Sequence, residues 1–300
     1  MCVNRDQAQL WALRVLWLIA PLPAGTQLRR SLDGVDTPGR WLFEGALWLG
    51  WFVGSVATLT PHPVSLTAIR CLAPTLAGVG VLFAVSVGWT AGLAVAIGYS
   101  ALLTAVSLLP TIGDVMVNGS AYGSERRMAL RTPAVAYLGP IPVAWLAVFV
   151  GLTGWALAFN GLHPVAGIAI AVVGAALVWF GGRVLHQLAR RWIVFVPAGF
   201  VVHDPFQLAE PVLLPRASIS RLGPAEIGSD ADGLDLSAGS LGLALEVEIE
   251  EPTTFGVLRN RNVETTNSKK LVFSPSLPGA LLSEARIRGI KIKGSSGADQ

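Results

Sequence analysis

The sequence predicts an α-helical transmembrane bundle of five spans, followed by a small β-rich α+β domain. Three observations carry this prediction. The composition is 52% hydrophobic and only 14% charged, whereas a typical soluble domain is about 25% charged. Of the 22 Lys and Arg and 19 Asp and Glu residues, 13 of each sign lie in 183–300. The hydrophobic pattern also changes after residue 191, from long apolar runs to short alternating ones. The two halves are therefore expected to face different solvents.

The first predicted segment is residues 1–40. Its apolar run around 12–28 is interrupted by Arg14, Pro21 and Pro23. A charge and two prolines are unfavourable in a spanning helix, so an interfacial, re-entrant or short transmembrane helix is predicted. If this helix crosses the membrane, the chain has six spans.

A transmembrane helical domain is predicted over residues 41–185. No charged residue lies between Glu44 and Arg70, between Arg70 and Asp114, or between Arg131 and Arg183. A bilayer-crossing helix needs about 20 predominantly apolar residues, and turn-forming residues divide the two longer gaps. The predicted spans are 41–60, 71–88, 90–109, 134–157 and 164–183.

Arginine placement predicts the orientation of the last four spans. Cytoplasmic loops of membrane proteins carry an excess of Lys and Arg. A cytoplasmic C-terminal domain places six arginines inside: Arg126, Arg127, Arg131, Arg183, Arg190 and Arg191. We therefore expect a multi-pass protein of the cell membrane with a cytoplasmic C-terminal domain.

Two places in the helical part are candidate sites. Glu44 lies near the start of a predicted span, and an intramembrane carboxylate is a candidate for ion or proton handling, although headgroup depth is the alternative. The polar loop 110–132 combines carboxylates, hydroxyls and guanidinium groups that could hold an anionic group. Its candidate residues are Asp114, Asn118, Tyr122, Glu125, Arg126 and Arg127. The alternative is a turn whose arginines fix topology and touch anionic lipid.

The C-terminal domain is predicted over 190–292, with a disordered tail at 293–300. Residues 192–204 indicate a β-hairpin, and 242–251 alternate between apolar and acidic side chains. Glu246, Glu248 and Glu250 are therefore expected to face solvent. Further short strands are predicted at 212–215, 217–222, 254–258 and 269–274. Pro278 marks the start of a closing helix.

No catalytic residue, metal site or cofactor is predicted. Cys2 and Cys71 cannot form a metal-ligand pair such as CxxC. His203 and Asp204 are neighbours on a predicted strand, so their side chains point to opposite faces. The basic residues flank apolar segments without forming a stripe, so nucleic acid is not an expected partner.

The element order resembles bacterial pleckstrin-homology-like (PH-like) domains, through several antiparallel strands, the hairpin at 192–204 and one C-terminal helix. The whole chain resembles a family of uncharacterised actinobacterial polytopic membrane proteins. The residues that carry this resemblance are Val196-Pro-Ala-Gly199-Phe-Val-Val-His203-Asp204-Pro205 and Asn118-Gly-Ser-Ala-Tyr-Gly-Ser-Glu-Arg-Arg127. The resemblance implies an architecture and no particular activity.

The function expected from these observations is that of a membrane-anchored scaffold or regulatory interaction protein. Besides the lipid bilayer, its partner would be another membrane protein or a second copy, bound through the exposed edge and acidic face of the PH-like domain. The alternative is a small transporter or channel-like protein using Glu44 and the 114–131 loop. A membrane enzyme acting on lipid would need polar side chains clustered at one membrane face.

Overall fold

A computed structural model describes residues 5–30, 32, 37–159, 163–226, 233–259 and 262–293. The chain forms two compact units. The helical unit comprises Met1–Met116 and Gly139–His186, and the β unit comprises Val117–Leu138 and Gln187–Gln300. The predicted order of a helical part and then a β-rich part is confirmed. The tail residues 294–300 lie outside the described residues.

Proline and capping side chains set the starts of several helices. His62 precedes Pro63 and its Nδ1 accepts from Val64 N at 3.1 Å, while Thr90 Oγ1 accepts from Leu93 N at 3.2 Å. Such caps satisfy orphan amide donors of the first turn. The described helices are α1 (Arg5–Ile19), a π-helical turn (Pro21–Gly25), α2 (Thr26–Arg30), α3 (Thr37–Leu59), α4 (Pro63–Val87), α5 (Ala91–Ser107), α6 (Pro110–Asn118), α7 (Ala134–Leu138), α8 (Pro140–Phe159), α9 (Pro164–Ala189) and α10 (Pro278–Ile287).

Among the described residues, four helical stretches are long and apolar enough to cross a membrane. They are Gly39–Leu59, Pro63–Ser86, Ala134–Ala158 and Pro164–Ala189. Helices α5 and α6 meet at a 57° bend and make a fifth stretch if they form one broken span. The second stretch begins before the predicted residue 71, because the cap at His62 starts the helix, and Arg70 therefore lies inside it.

The N-terminal segment remains helical through both of its prolines. Helix α1 continues into the π-helical turn and α2, and together they pack against α3 and α5. The indole Nε1 of Trp17 donates to Trp51 O at 3.0 Å, and that of Trp51 donates to Trp17 O at 3.1 Å. A β-carbon at Gly54 would overlap the Trp17 ring. Glycine is therefore required at residue 54 for this close approach.

Helices α8 and α9 also approach closely through small residues. A β-carbon added at Gly154 would meet the backbone of Ala171, and one added at Gly174 would meet the backbone of Gly151. Small residues at such positions let helix backbones pack directly, as is common between membrane helices.

The β unit contains two four-stranded sheets. One has the order β1-β2-β3-β4 and is antiparallel throughout; the other has the order β5-β7-β8-β6, in which only β6 and β8 run parallel. The strands are β1 (Arg126–Ala129), β2 (Trp192–Val196), β3 (Gly199–His203), β4 (Val212–Pro215), β5 (Ile219–Pro224), β6 (Leu234–Asp235), β7 (Leu245–Arg259) and β8 (Asn262–Phe273). The hairpin expected at 192–204 is confirmed as β2 and β3.

Both sheets and the last helix share one hydrophobic core. Phe195, Phe200, Phe255 and Phe273 are almost completely buried, and α10 contributes Leu281 and Ala285. Burial of such aromatic side chains supplies much of the driving force for folding of a domain of this size.

Strand β1 comes from the connection between α6 and α7, far from the other strands in the sequence. It pairs antiparallel with β2, in the register Arg126↔Phe195 to Ala129↔Trp192. The following residues continue the attachment, since Arg131 N donates to Ser274 O at 2.8 Å and Ser276 N donates to Ala129 O at 2.8 Å. The connection 117–138 is thus part of the β domain.

Candidate functional site

Glu44 is neutralised by two arginines near the start of a candidate span. Its Oε1 lies 3.0 Å from Arg40 Nε and 3.7 Å from Arg29 Nε. Glu44 is 22% exposed, while the Arg29 side chain is 71% exposed. The carboxylate lies in the second turn of the candidate span Gly39–Leu59.

An apolar cavity of about 320 Å³ opens beside Glu44. The π-helical turn and α2 form one wall, and α3 forms the other. Its lining includes Pro21, Leu28, Leu47, Trp48 and Trp51, together with the charged Arg29 and Glu44. The cavity therefore combines an apolar interior with an ion cluster, a combination typical of ligand sites.

Asp114 is separated from the other candidate residues of the polar loop. It lies in α6 of the helical unit and is 2% exposed. Nearby, Arg70 of α4 donates from Nε to Ser107 O at 3.2 Å, at the end of α5, and a β-carbon at Gly113 would lie 3.1 Å from Arg70 Nη2. Arg70 thus satisfies a carbonyl at the bend between α5 and α6.

Sequence reasoning missed Arg70 as a functional candidate. The residue was interpreted as the boundary between two spans, because charges usually mark the ends of apolar segments. The signal that could have identified it is its isolation: no other charged residue lies between Glu44 and Asp114. A charged residue inside a span is expensive and is usually paired and functional.

Three of the loop residues come together and largely satisfy one another. Arg127 N donates to Asn118 Oδ1 at 3.0 Å, and its guanidinium donates to Ser120 Oγ at 2.9 Å and to Glu125 Oε2 at 3.2 Å. Tyr122, by contrast, is 85% exposed. Arg126 opens strand β1 opposite Phe195. The loop is built as a connection into the sheet, and the Arg127 guanidinium is already engaged by Glu125 and Ser120.

Among the described residues, the most completely buried ion pair joins Arg191 to Asp204. Arg191 Nε lies 2.9 Å from both carboxylate oxygens, and one terminal nitrogen lies 2.7 Å from Oδ2. The side chains are 1% and 0% exposed. The guanidinium also donates to Arg131 O at 2.8 Å and Leu236 O at 3.1 Å. Removing two charges from water is costly, and hydrogen bonds of this number and geometry are needed to offset that cost.

His203 points away from Asp204, in agreement with the strand alternation. Its ring stacks on Trp192 with centroids 4.6 Å apart and an interplanar angle of 9°. Nδ1 lies 2.8 Å from Arg190 O. A carbonyl accepts only, so Nδ1 carries the proton. Burial lowers the pKa of His203 below its usual 6.5.

The expectation that Glu246 and Glu248 face solvent is wrong. Glu246 is 2% exposed and the Glu248 side chain 17%. Glu248 lies between Arg221 of β5, 2.5 Å away, and Lys270 of β8, 3.9 Å away. Lys293 covers Gly223 and reaches within 3.7 Å of Glu246. Hydrogen bonding to Arg221 lowers the pKa of Glu248. Cross-strand cations therefore neutralise most of this acidic face.

The outer edge of β8 is exposed where β7 and β8 extend beyond the rest of their sheet. β6 pairs with β8 only at Leu271 and Val272, and no described residue pairs with the outer side of 262–267. Every side chain in this stretch is exposed. The opposite side of the hairpin is covered, because Ala209 N donates to Gly256 O at 2.9 Å and Leu258 N donates to Gln207 O at 2.7 Å.

The pairing pattern shows which β8 groups point outward. Gly256 and Leu258 of β7 use their backbone groups on 207–209, so the alternate residues Phe255 and Val257 bond to β8. Their partners are Thr266 and Glu264. The backbone N–H and C=O groups of Val263, Thr265 and Asn267 consequently point away from the sheet.

No family model matches the chain, and neither does any curated protein or solved structure. Within the described residues, no group of three or more His, Cys, Asp and Glu side chains could hold a metal ion.

Proposed function

We propose that the protein is a membrane-anchored scaffold or regulatory protein whose C-terminal PH-like domain binds an extended segment of another membrane protein along the outer edge of β8. The observation that carries this proposal is the unpaired stretch 262–267, with three residues directing backbone groups outward. Adding a strand to an exposed sheet edge is a common mode of peptide recognition.

Three features support the membrane and PH-like parts of this proposal. The helical unit offers four or five stretches of spanning length. The β unit consists of two sheets and a C-terminal helix around one core, an arrangement like that of the PH-like domains. Arginine placement favours a cytoplasmic location for the β unit.

The charge distribution favours the strand edge over the acidic face as the contact surface. Glu248 is already paired with Arg221 and Lys270, so a basic partner would have to displace existing ion pairs. The edge residues Thr265, Thr266 and Asn267 are uncharged and exposed. Main-chain hydrogen bonds would supply affinity there.

A matched pair of substitutions at Thr265 tests the edge. Thr265→Pro removes an outward N–H and leaves the β7 ladder intact, whereas Thr265→Ala keeps the N–H and serves as the control. A photo-crosslinking amino acid at Val263 reports the partner in living cells. We expect the adduct to fall at least about tenfold in the proline variant, which corresponds to about 1.4 kcal/mol, and to persist in the alanine variant.

The proposal would be overturned if the two Thr265 variants gave equal adduct yields while thermal unfolding of the purified proteins showed that both are folded. An adduct of twice the chain mass would instead identify a second copy as the occupant. Complete extraction of the protein from membranes by alkaline carbonate would contradict membrane anchoring.

A transport function is the second candidate, and the bend between α5 and α6 favours it. Broken helices in transporters expose backbone groups to ions or substrates. Here the bend is flanked by Arg70 and the buried Asp114, and Thr67 Oγ1 contacts His186 Nδ1 at 3.2 Å one turn from Arg70. In proteoliposomes, proton flux that is abolished by Arg70→Gln would support this function. A flux equal to that of protein-free liposomes would exclude proton transport.

A further inference from the structure

The cavity between the π-helical turn and α3 has the two properties of an amphiphile site. Its wall is almost entirely apolar, with Leu28, Leu47, Trp48, Trp51 and Leu76 contributing. At about 320 Å³ it reaches the size of small-molecule sites, which begin near 300 Å³. A hydrophilic ion alone would gain no binding free energy from such a wall. A hydrocarbon chain fits it, because the chain would move there out of water or in exchange for other lipid.

The wall is shaped by an unusual helical turn. Pro21 and Pro23 lack backbone N–H groups, and the chain passes through Pro21–Gly25 as a π-helix and not as an α-helix. Single π-helical turns are rare and occur frequently at functional sites. Here the turn contributes Pro21, Ala24 and Gly25 to the cavity.

The described charges at the cavity favour an anionic group. Arg29 lines the cavity, Arg30 follows it and is exposed, and Arg40 bonds to Glu44 at 3.0 Å. Two guanidinium groups, those of Arg29 and Arg40, therefore pair with one carboxylate. Arg29 is 71% exposed and 3.7 Å from Glu44, and with respect to the described residues its other donors are open to a ligand. Asp33 and Asp36 of the connection to α3 lie outside the described residues.

We infer that this cavity binds one acyl chain of an anionic phospholipid, with the lipid phosphate at Arg29. The site goes beyond the proposed scaffold function, although it rests on the proposed membrane insertion. Glu44 has a defined role in it: the carboxylate holds Arg40 and Arg29 at the cavity mouth. Arg–phosphate contacts are bidentate and strong, and basic residues near the bilayer surface favour anionic lipid.

The test uses the full-length protein in liposomes with phosphatidylglycerol or phosphatidylcholine that carries a photoreactive diazirine in one acyl chain. Labelled peptides are mapped by mass spectrometry. We expect labelling within 20–28 and 44–51, stronger for phosphatidylglycerol. Arg29→Gln should lower phosphatidylglycerol labelling about fivefold, since one basic residue contributes about 1 kcal/mol near an anionic surface.

Two further variants separate charge from volume. Gly25→Leu adds hydrocarbon to the cavity wall, where a β-carbon has only an ordinary contact with Pro21, and should lower labelling with both lipids. Arg183→Gln changes an exposed arginine of the same unit that does not line the cavity, and should leave labelling unchanged.

Equal labelling by the two lipids, or labelling that is insensitive to both Arg29→Gln and Gly25→Leu, would overturn the lipid site. If the protein resists alkaline extraction but fails these labelling tests, only the lipid site is overturned and the proposed scaffold function is unaffected. If the protein is fully extracted, both proposals are overturned.

Discussion

Arg191 and Asp204 join three segments that are distant in the sequence. The guanidinium contacts the carboxylate of Asp204 and the carbonyl of Leu236 in buried hydrogen bonds, and the carbonyl of Arg131 in a partly buried one. Loss of one partner leaves the other charge buried and uncompensated. We therefore expect this pair to contribute more than the other polar contacts to specifying the fold of the β unit.

Asp204→Asn should destabilise the β unit by about 3–5 kcal/mol, because Arg191 would remain charged and buried. Pulse proteolysis of the detergent-solubilised protein measures the change. The control is Glu264→Gln, which affects an exposed pair with Arg259 at 3.8 Å and should cost less than about 1 kcal/mol. A loss as small as that of the control would contradict the structural role of the buried pair.

His203 gives the β unit a component of pH dependence. Burial lowers its pKa below 6.5, so the unfolded state binds the proton more readily. Stability should therefore fall as the pH drops below about 6.5 and level off below the folded-state pKa. Unfolding midpoints measured between about pH 7.5 and 5.5 should show this loss, and His203→Gln should remove it. An unchanged pH profile in the variant would rule out His203 as its source.

Among the described elements, strand β1 is the one whose position matters most for the core of the β unit. Its Met128 is 2% exposed in the core, whereas Tyr122 of the same connection is 85% exposed. The connection between α6 and α7 thus contains both a core strand and a solvent-facing turn.

Met128→Asp should destabilise the β unit by at least about 3 kcal/mol, because it buries an unpaired charge. Tyr122→Asp should change stability by no more than about 0.5 kcal/mol. Hydrogen exchange of the peptides that cover β2 and β3 reports both effects. If both variants exchange like the wild type, β1 does not belong to this core in solution.

Elements with a local chemical signature could be predicted from the sequence. Pro164 and Pro278 each stand at the first position of a helix, and the alternation in 242–251 matches part of β7. The pairing of β1 with β2 could not be predicted, because Arg126 and Phe195 are far apart in the sequence and an arginine-rich loop also fits a topology signal. Arg191 also fits a topology signal, and this ambiguity concealed its role in the buried ion pair with Asp204.

Glu246 shows why the alternation of apolar and acidic residues along one strand was insufficient to predict which side chains are exposed. Its side chain does point to the face opposite Val247, as the pattern indicates. Gly223 on the neighbouring strand has no side chain, and this space is filled by Lys293, which covers the carboxylate. Burial on a sheet face depends on the neighbouring strands, which the pattern of one strand does not contain.

At the scale of the whole molecule, the pairing of β1 with β2 constrains membrane topology. A strand between α6 and α7 can pair with a strand after α9 only if both lie on the same side of the membrane. Two stretches of spanning length, Ala134–Ala158 and Pro164–Ala189, separate them. If both cross a membrane, the even number of crossings returns the chain to the same side.

Single cysteines at Tyr122 and Val263, in a background without Cys2 and Cys71, should therefore react alike with a membrane-impermeant thiol reagent. Both residues are exposed, at 85% and 59%. With a cytoplasmic β unit, both should be protected in intact cells and labelled after lysis. Labelling of only one in intact cells would be incompatible with the paired strands.

The contribution of 117–138 also means that the β domain is not one continuous piece of chain. A fragment cut at residue 190 would keep β2 and leave one of its edges without a partner, with Ile193 and Phe195 of the core beside it. Unprotected strand edges promote aggregation. During synthesis, β1 is made first and can join the sheet only after α8 and α9 have followed. The ribosome therefore releases the two parts of one domain before and after the two helices α8 and α9, which links completion of this domain to the synthesis of the helices between them.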